Sequence, residues 1–158
     1  MGTLVSRNYL KKYEKHIEKI VLCGPPTENK LVDVALFAGK LTGLFYKEHK
    51  PNKILNKLSV GYYNKGYITE NEWICSNLQT VYEYNTDPLC GFTFTTSGFM
   101  NLFQLLKSAF IKEDWNPQNS SLPIFLIAGV DDPVIQGKKK FNELEEFLKE
   151  VGYENIKS

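Results

Sequence analysis

Val5, Tyr9, Tyr13 and Ile17 recur every fourth position near the start of the chain, with Arg7, Lys11, Lys12, Glu14 and Lys15 between them. Apolar groups at that spacing among charged ones predict an amphipathic helix over about residues 3–17. The pattern then changes. Lys19-Ile20-Val21-Leu22-Cys23-Gly24 is a short, unbroken apolar run stopped by Pro25-Pro26. Such a run predicts a strand buried on both faces, as in a parallel sheet. Leu122 to Gly129 repeats the same signal. Phe141, Leu144, Phe147, Leu148 and Val151 follow at helical spacing, and Gly152 is placed to end that helix. Tyr153 to Ser158 reads as the start of a third strand.

The two ends of the chain thus spell helix–strand and strand–helix–strand, the order of a doubly wound α/β domain. Roughly ninety residues separate the two clear strands, whereas a parallel crossover needs about a dozen. The excess predicts an insertion, mostly helical. Within it, Leu31 to Phe45 is apolar on nearly every side, which favours core burial over the lining of an apolar site. Phe99, Leu102, Phe103, Leu106 and Phe110 predict a helix that packs back on the sheet before the second strand. The expected organisation is a sheet-and-helix core over residues 1–28 and 97–158, interrupted by a helical insertion over residues 29–96.

The chain has 158 residues, 42% of them hydrophobic and 13% aromatic, which suits one packed core. A net charge of +1 gives no reason to expect a nucleic-acid partner. Lys138-Lys139-Lys140 is local and reads as a solvated stretch of helix. No apolar stretch is long enough to span a bilayer, and the start does not resemble a signal peptide. Cys23, Cys75 and Cys90 are odd in number and widely spaced. They form neither a disulfide framework nor a CxxC metal site, and free thiols fit a cytoplasmic location. His16 and His49 sit among Lys and Glu, as surface residues do.

Candidate chemistry concentrates in Gly129-Val130-Asp131-Asp132-Pro133-Val134. Two carboxylates follow a buried strand, at the end where open α/β sheets place their sites. Pro133 favours an extended Asp132 and so a carboxylate projecting from the strand end. Three readings are open at this level. The pair makes a turn and caps the next helix; or one of them serves a reaction; or the two hold a magnesium ion, as in phosphotransfer domains.

LPIFLIAGVDDPV (122–134), DPLCGFTF (87–94), KILNKLSVGYYN (53–64) and the strand from Tyr153 to Lys157 occur here in one order. Together they resemble the C-terminal half of a serine α/β-hydrolase of the lysophospholipase/monoacylglycerol-lipase group, also described as serine aminopeptidase S33-like. The resemblance implies a parallel sheet flanked by helices, with a mostly helical cap. It implies a G-x-S-x-G nucleophile elbow whose last two positions match Met1-Gly2, so that the serine falls one residue before Met1. The Met1 backbone N–H would then serve the oxyanion hole in an intact parent chain. Asp132, directly before Pro133, would be the catalytic acid, with Asp131 the weaker candidate. Ser6 lies within the first helix, Ser97 lacks the elbow's first glycine, and neither histidine holds the corresponding place. The resemblance therefore assigns this chain the acid without its serine or histidine. It implies small acyl esters as substrates, no metal and no cofactor. It leaves room for lipid or membrane-surface contact through the cap, and for self-association along an uncovered sheet edge.

Overall fold

The computed structural model describes residues 1–45 and 47–158. Helix α1 (Gly2–Tyr13) runs through a 3-10 turn, Glu14–His16, into strand β1 (Ile20–Cys23). Helices α2 (Val32–Gly43), α3 (Lys53–Leu58), α4 (Leu78–Thr86) and α5 (Thr96–Ala109) follow. Strand β2 (Ile124–Ile127), helix α6 (Lys138–Glu150) and strand β3 (Ile156–Lys157) complete the order. The three strands form one parallel sheet in the order β1-β2-β3, with Ile20 opposite Ile124, Cys23 opposite Ile127 and Ile124 opposite Ile156. This is the parallel α/β arrangement that the ends of the chain predict. The chain divides into two compact units, one of Met1–Val32 with Gln104–Ser158, the other Asp33–Phe103.

The first unit holds the sheet. Leu22, Ile124 and Leu126 alternate with their strand neighbours and so share one face, where Leu10 of α1 and Leu144 and Leu148 of α6 meet them. Each fully buried leucine here contributes about 1.5–3 kcal/mol by leaving water. Trp115 closes the cluster, edge-on to Tyr153 and to Phe147, with ring centroids 6.1 Å apart in each pair. Helix α6 ends as its glycine predicts. Gly152 adopts φ +117°, and the Tyr153 N–H donates to the Leu148 carbonyl at 3.1 Å, satisfying the last turn.

Two expectations fail in this unit. The strands are not buried on both faces: Val21 is 61% exposed, Phe125 43% and Ile127 45%. An unbroken apolar run does announce two-sided burial, but the unit's own helices cover one side alone. Helix α1 is also turned the other way. Leu4, Arg7 and Leu10 are its buried residues, while Val5, Tyr9 and Tyr13 are about half exposed. Its α-helical part stops at Tyr13, short of residue 17. Arg7 is fully buried, with Nη2 donating to the Pro26 carbonyl at 2.8 Å and the guanidinium 4.7 Å from the Phe110 ring centroid. Lys11 reaches from α1 to the Ser108 carbonyl in the last turn of α5, where an ammonium meets the negative end of a helix. The final part of α5 thus belongs with the sheet, and Phe110 packs against its core as expected.

The second unit is built of helices and short turns, joined to one isolated antiparallel bridge between Pro51 and Thr95. Its polar hub is Asn52, which is fully buried. The Asn52 side-chain Oδ1 caps α3 by accepting from the Leu55 N–H at 3.0 Å. Its amide donates to the hydroxyls of Thr42 and Thr96 at 3.0 and 3.1 Å. Helix α2 departs from expectation. Gly39 alone is buried, whereas Val34, Phe37 and Leu41 are exposed along one side. Core burial does not describe this helix.

Candidate active site

Strands β1 and β2 end level with one another, and the Gly24 N–H donates to the Ile127 carbonyl at 2.8 Å just beyond the pairing. Gly24 has φ +56°, a left-handed conformation that suits glycine and lets the chain leave the sheet toward Pro25-Pro26. Past β2, Gly129 to Asp132 form a turn closed by the Asp132 N–H on the Gly129 carbonyl at 3.2 Å. Asp132 itself is extended (φ −66°, ψ 111°), the conformation that Pro133 imposes on the residue before it.

The two oxygens of Asp132 do different work. Oδ1 accepts from the Val134 N–H at 2.8 Å and caps the 3-10 turn Pro133–Ile135. Oδ2 lies over the end of β1, so close that a Cβ on Gly24 would come within 3.2 Å of it. The turn-and-cap reading is therefore realised, and it leaves one carboxylate oxygen at the crest of the sheet. Asp131, one residue earlier, is exposed. Thr27 ties the two crest loops together. Buried at 1% exposure, its hydroxyl donates to the Ile135 carbonyl at 3.2 Å and accepts from the Gln136 amide at 3.1 Å. Asp132 is thus fixed by its own cap, by the glycine beside it and by this cross-link.

The remaining candidates lie on other elements. Met1 is the exposed N-cap residue of α1, and its carbonyl accepts from the Leu4 N–H at 2.9 Å. The Ser6 hydroxyl donates to the Gly2 carbonyl at 3.0 Å within the helix. His16 is exposed on the 3-10 turn after α1, while His49 and Ser97 belong to the other unit. Among the described residues, no serine or histidine side chain is hydrogen-bonded to Asp132. No group of three or more His, Cys, Asp or Glu among them could hold a metal ion.

The crest was partly legible beforehand. Asp132 stands out by its place before a proline at a strand end. Gly24 and Thr27 do not, because more than a hundred residues separate them from the acid and the β1–β2 register brings them together. The one available signal was that both apolar runs end in glycine.

The family model described as serine aminopeptidase, S33, matches residues 1–157. The chain belongs to the S33 family of α/β-hydrolases. Among solved structures, this S33-family chain is similar to a highly thermostable carboxyl esterase from Bacillus coagulans in complex with glycerol. The two are 21% identical with a TM-score of 0.77, over 98% of this chain and 51% of the esterase. It is also similar to a lipase in its open form, 15% identical with a TM-score of 0.76, over 98% of this chain and 52% of the lipase. At such identities the likeness speaks for the fold. The S33-family chain spans about half the length of both. No curated protein sequence matches it significantly.

Proposed function

We propose that these residues carry the acid of a serine ester hydrolase whose serine and histidine lie outside this sequence. The observation that supports this most directly is the Asp132 carboxylate. One oxygen is anchored on the Val134 N–H, and the other is held over the end of β1. In the reaction, a serine hydroxyl attacks the acyl carbon and a histidine takes its proton. Asp132 Oδ2 accepts the Nδ1–H of that histidine, which fixes the tautomer and stabilises the imidazolium as it forms. The backbone N–H of the residue after the serine, Met1 in this numbering, helps hold the oxyanion. Histidine then returns the proton to the leaving alcohol, and water resolves the acyl-enzyme by the same path.

Carboxylic esters with a single acyl chain, such as monoacylglycerols and lysophospholipids, suit the unit Asp33–Phe103. Val34, Phe37 and Leu41 of α2 present it with an apolar side fit for an acyl chain or a lipid surface. Fold neighbours that are a carboxyl esterase and a lipase point to the same chemistry. The three free thiols accord with a reducing, cytoplasmic setting. A second reading has one observation in its favour: Asp132 already caps a turn, which a non-catalytic remnant or binding module would also need.

A serine-directed fluorophosphonate probe separates the two. The product of the whole reading frame containing these residues should label, and the 158-residue chain should not. Labelling of the 158-residue chain itself would place the nucleophile within it and overturn the assignment. A whole-frame product that stays unlabelled would favour the remnant.

A further inference from the structure

Thr27 carries a buried hydroxyl that no helix or strand requires. It sits in the loop leaving β1, and its oxygen is used twice across the crest. The hydroxyl donates to the Ile135 carbonyl at 3.2 Å and accepts from Gln136 Nε2 at 3.1 Å. Valine has nearly the same shape, so what the hydroxyl adds at this position is the tie itself. Gln136 makes its half of the tie from a strained backbone. It is exposed and left-handed (φ 56°, ψ 29°), a conformation uncommon outside glycine and asparagine. Among the described residues other than glycine, only Asn71 also has a positive φ. Such backbone persists where surrounding contacts impose it, and it gathers at functional sites.

The tie continues at both ends. The Pro26 carbonyl, next to Thr27, accepts from Arg7 Nη2 at 2.8 Å, which holds the loop to α1. The Ile135 N–H donates to the Asp132 carbonyl at 3.3 Å, and the Val134 N–H donates to Asp132 Oδ1 at 2.8 Å. A line of contacts therefore runs from α1 through Pro26 and Thr27 to the turn that carries Asp132, all of it inside the sheet unit.

We propose that Thr27 is a positioning residue. Its hydroxyl, with Gln136 behind it, fixes the turn of Asp132 relative to α1, the helix that follows the serine in the proposed hydrolase. The role in turnover rests on that reading; the tie between the two loops does not.

Thr27→Val tests this in the whole-frame product, with p-nitrophenyl butyrate turnover and amide exchange at Val134 as readouts. It should lower kcat about ten- to a hundredfold, as a misplacement of up to about 1 Å does, with KM within about twofold. Thr27→Ser keeps the hydroxyl and should stay within about threefold of the unsubstituted protein. In an Asp132→Asn background, Thr27→Val should lower kcat by less than about threefold more, because a residue that acts through Asp132 has nothing left to position. A merely structural loss would lower kcat alike in both backgrounds. The Val134 amide should exchange about tenfold faster in Thr27→Val, while amides in α6 keep their rates. Gln136→Asn suits the left-handed backbone and withdraws the amide from Thr27, so it tests the tie even if Thr27→Val does not fold. It should lower kcat about three- to tenfold. Full kcat in both variants, an equal loss in Thr27→Ser, the same loss in both backgrounds, or unchanged exchange at Val134 overturns the proposal. The two readings fail separately. An unsubstituted product without esterase activity, in which Thr27→Val still speeds exchange at Val134, keeps the tie and loses the hydrolase. An active product indifferent to Thr27→Val and Gln136→Asn keeps the hydrolase and loses the positioning role.

Discussion

Arg7 offers a quantitative test of how the sheet unit is held together. Its side chain is fully buried, yet Nε and Nη1 have no hydrogen-bond partner among the described residues. Burial pushes its pKa down to about 10. At about 1.4 kcal/mol per pH unit, that drop means the folded state gives up about 3 kcal/mol to keep the guanidinium charged at neutral pH. Arg7→Met removes the charge and keeps most of the length. It forfeits the charge-assisted bond to the Pro26 carbonyl and the contact with Phe110, together about 2–5 kcal/mol. The balance lies between a gain of about 1 and a loss of about 2 kcal/mol, so the buried charge adds little net stability. Urea unfolding at pH 7, followed by circular dichroism, reads this as a midpoint close to that of the unsubstituted chain, at an unchanged slope. The pH dependence has a definite sign. A base whose pKa is lower when folded is charged in both states below the folded value. The penalty is then constant up to about pH 10 and shrinks only above it, as the folded state releases its proton first. The effect of Arg7→Met should therefore not change between pH 5 and 9. A loss of about 3–5 kcal/mol, the cost of breaking a buried ion pair, or an effect that varies across that range, would show that Arg7 has an ionised partner in solution and would refute the reasoning.

Two further substitutions probe the supports of the sheet unit. The Glu14 carboxylate accepts from the Gln118 and Asn119 N–H groups at 2.6 and 3.2 Å, both on Oε2. Glu14→Ala takes the acceptor from those part-buried donors and should cost about 1–2 kcal/mol in the same urea assay; a change under about 0.5 kcal/mol would mean that water replaces the carboxylate. Gly24→Ala forces a Cβ to within 3.2 Å of Asp132 Oδ2 and into a positive φ, so it should cost about 1–2 kcal/mol. In an active whole-frame product it should also lower kcat while leaving KM nearly unchanged; full activity would place the Asp132 carboxylate elsewhere.

What the sequence revealed of the fold follows from how locally each signal is written. Strands β1, β2 and β3 and helix α6 announce themselves through short apolar runs, helical spacing and the stop at Gly152. The orientation of α1 does not, because its inward side carries an arginine. Leu4, Arg7 and Leu10 repeat every three residues, but a charge at the middle position hides the stripe behind the more regular Val5, Tyr9 and Tyr13. The two-sided apolar character of β1 and β2 was read correctly as chemistry and incorrectly as burial, since burial on the second face needs material that these residues do not provide. Helix α2 misleads for a related reason: its composition states that it avoids water, not what it meets. Of the candidate site, Asp132 and its extended backbone were visible through the Asp-Pro pair. Its neighbours Gly24 and Thr27 were not, because parallel pairing is non-local and no spacing along the chain encodes it.

The role of Asp132 is tested most directly by ester hydrolysis in the whole-frame product. With p-nitrophenyl butyrate as substrate, Asp132→Asn should lower kcat by about 10³–10⁴, because an amide cannot hold the histidine in the required tautomer. Asp131→Asn should leave kcat within about threefold, since a substitution at an exposed site away from the reacting groups perturbs little. Unchanged turnover in Asp132→Asn, or a collapse in Asp131→Asn instead, would contradict the assignment of the catalytic acid.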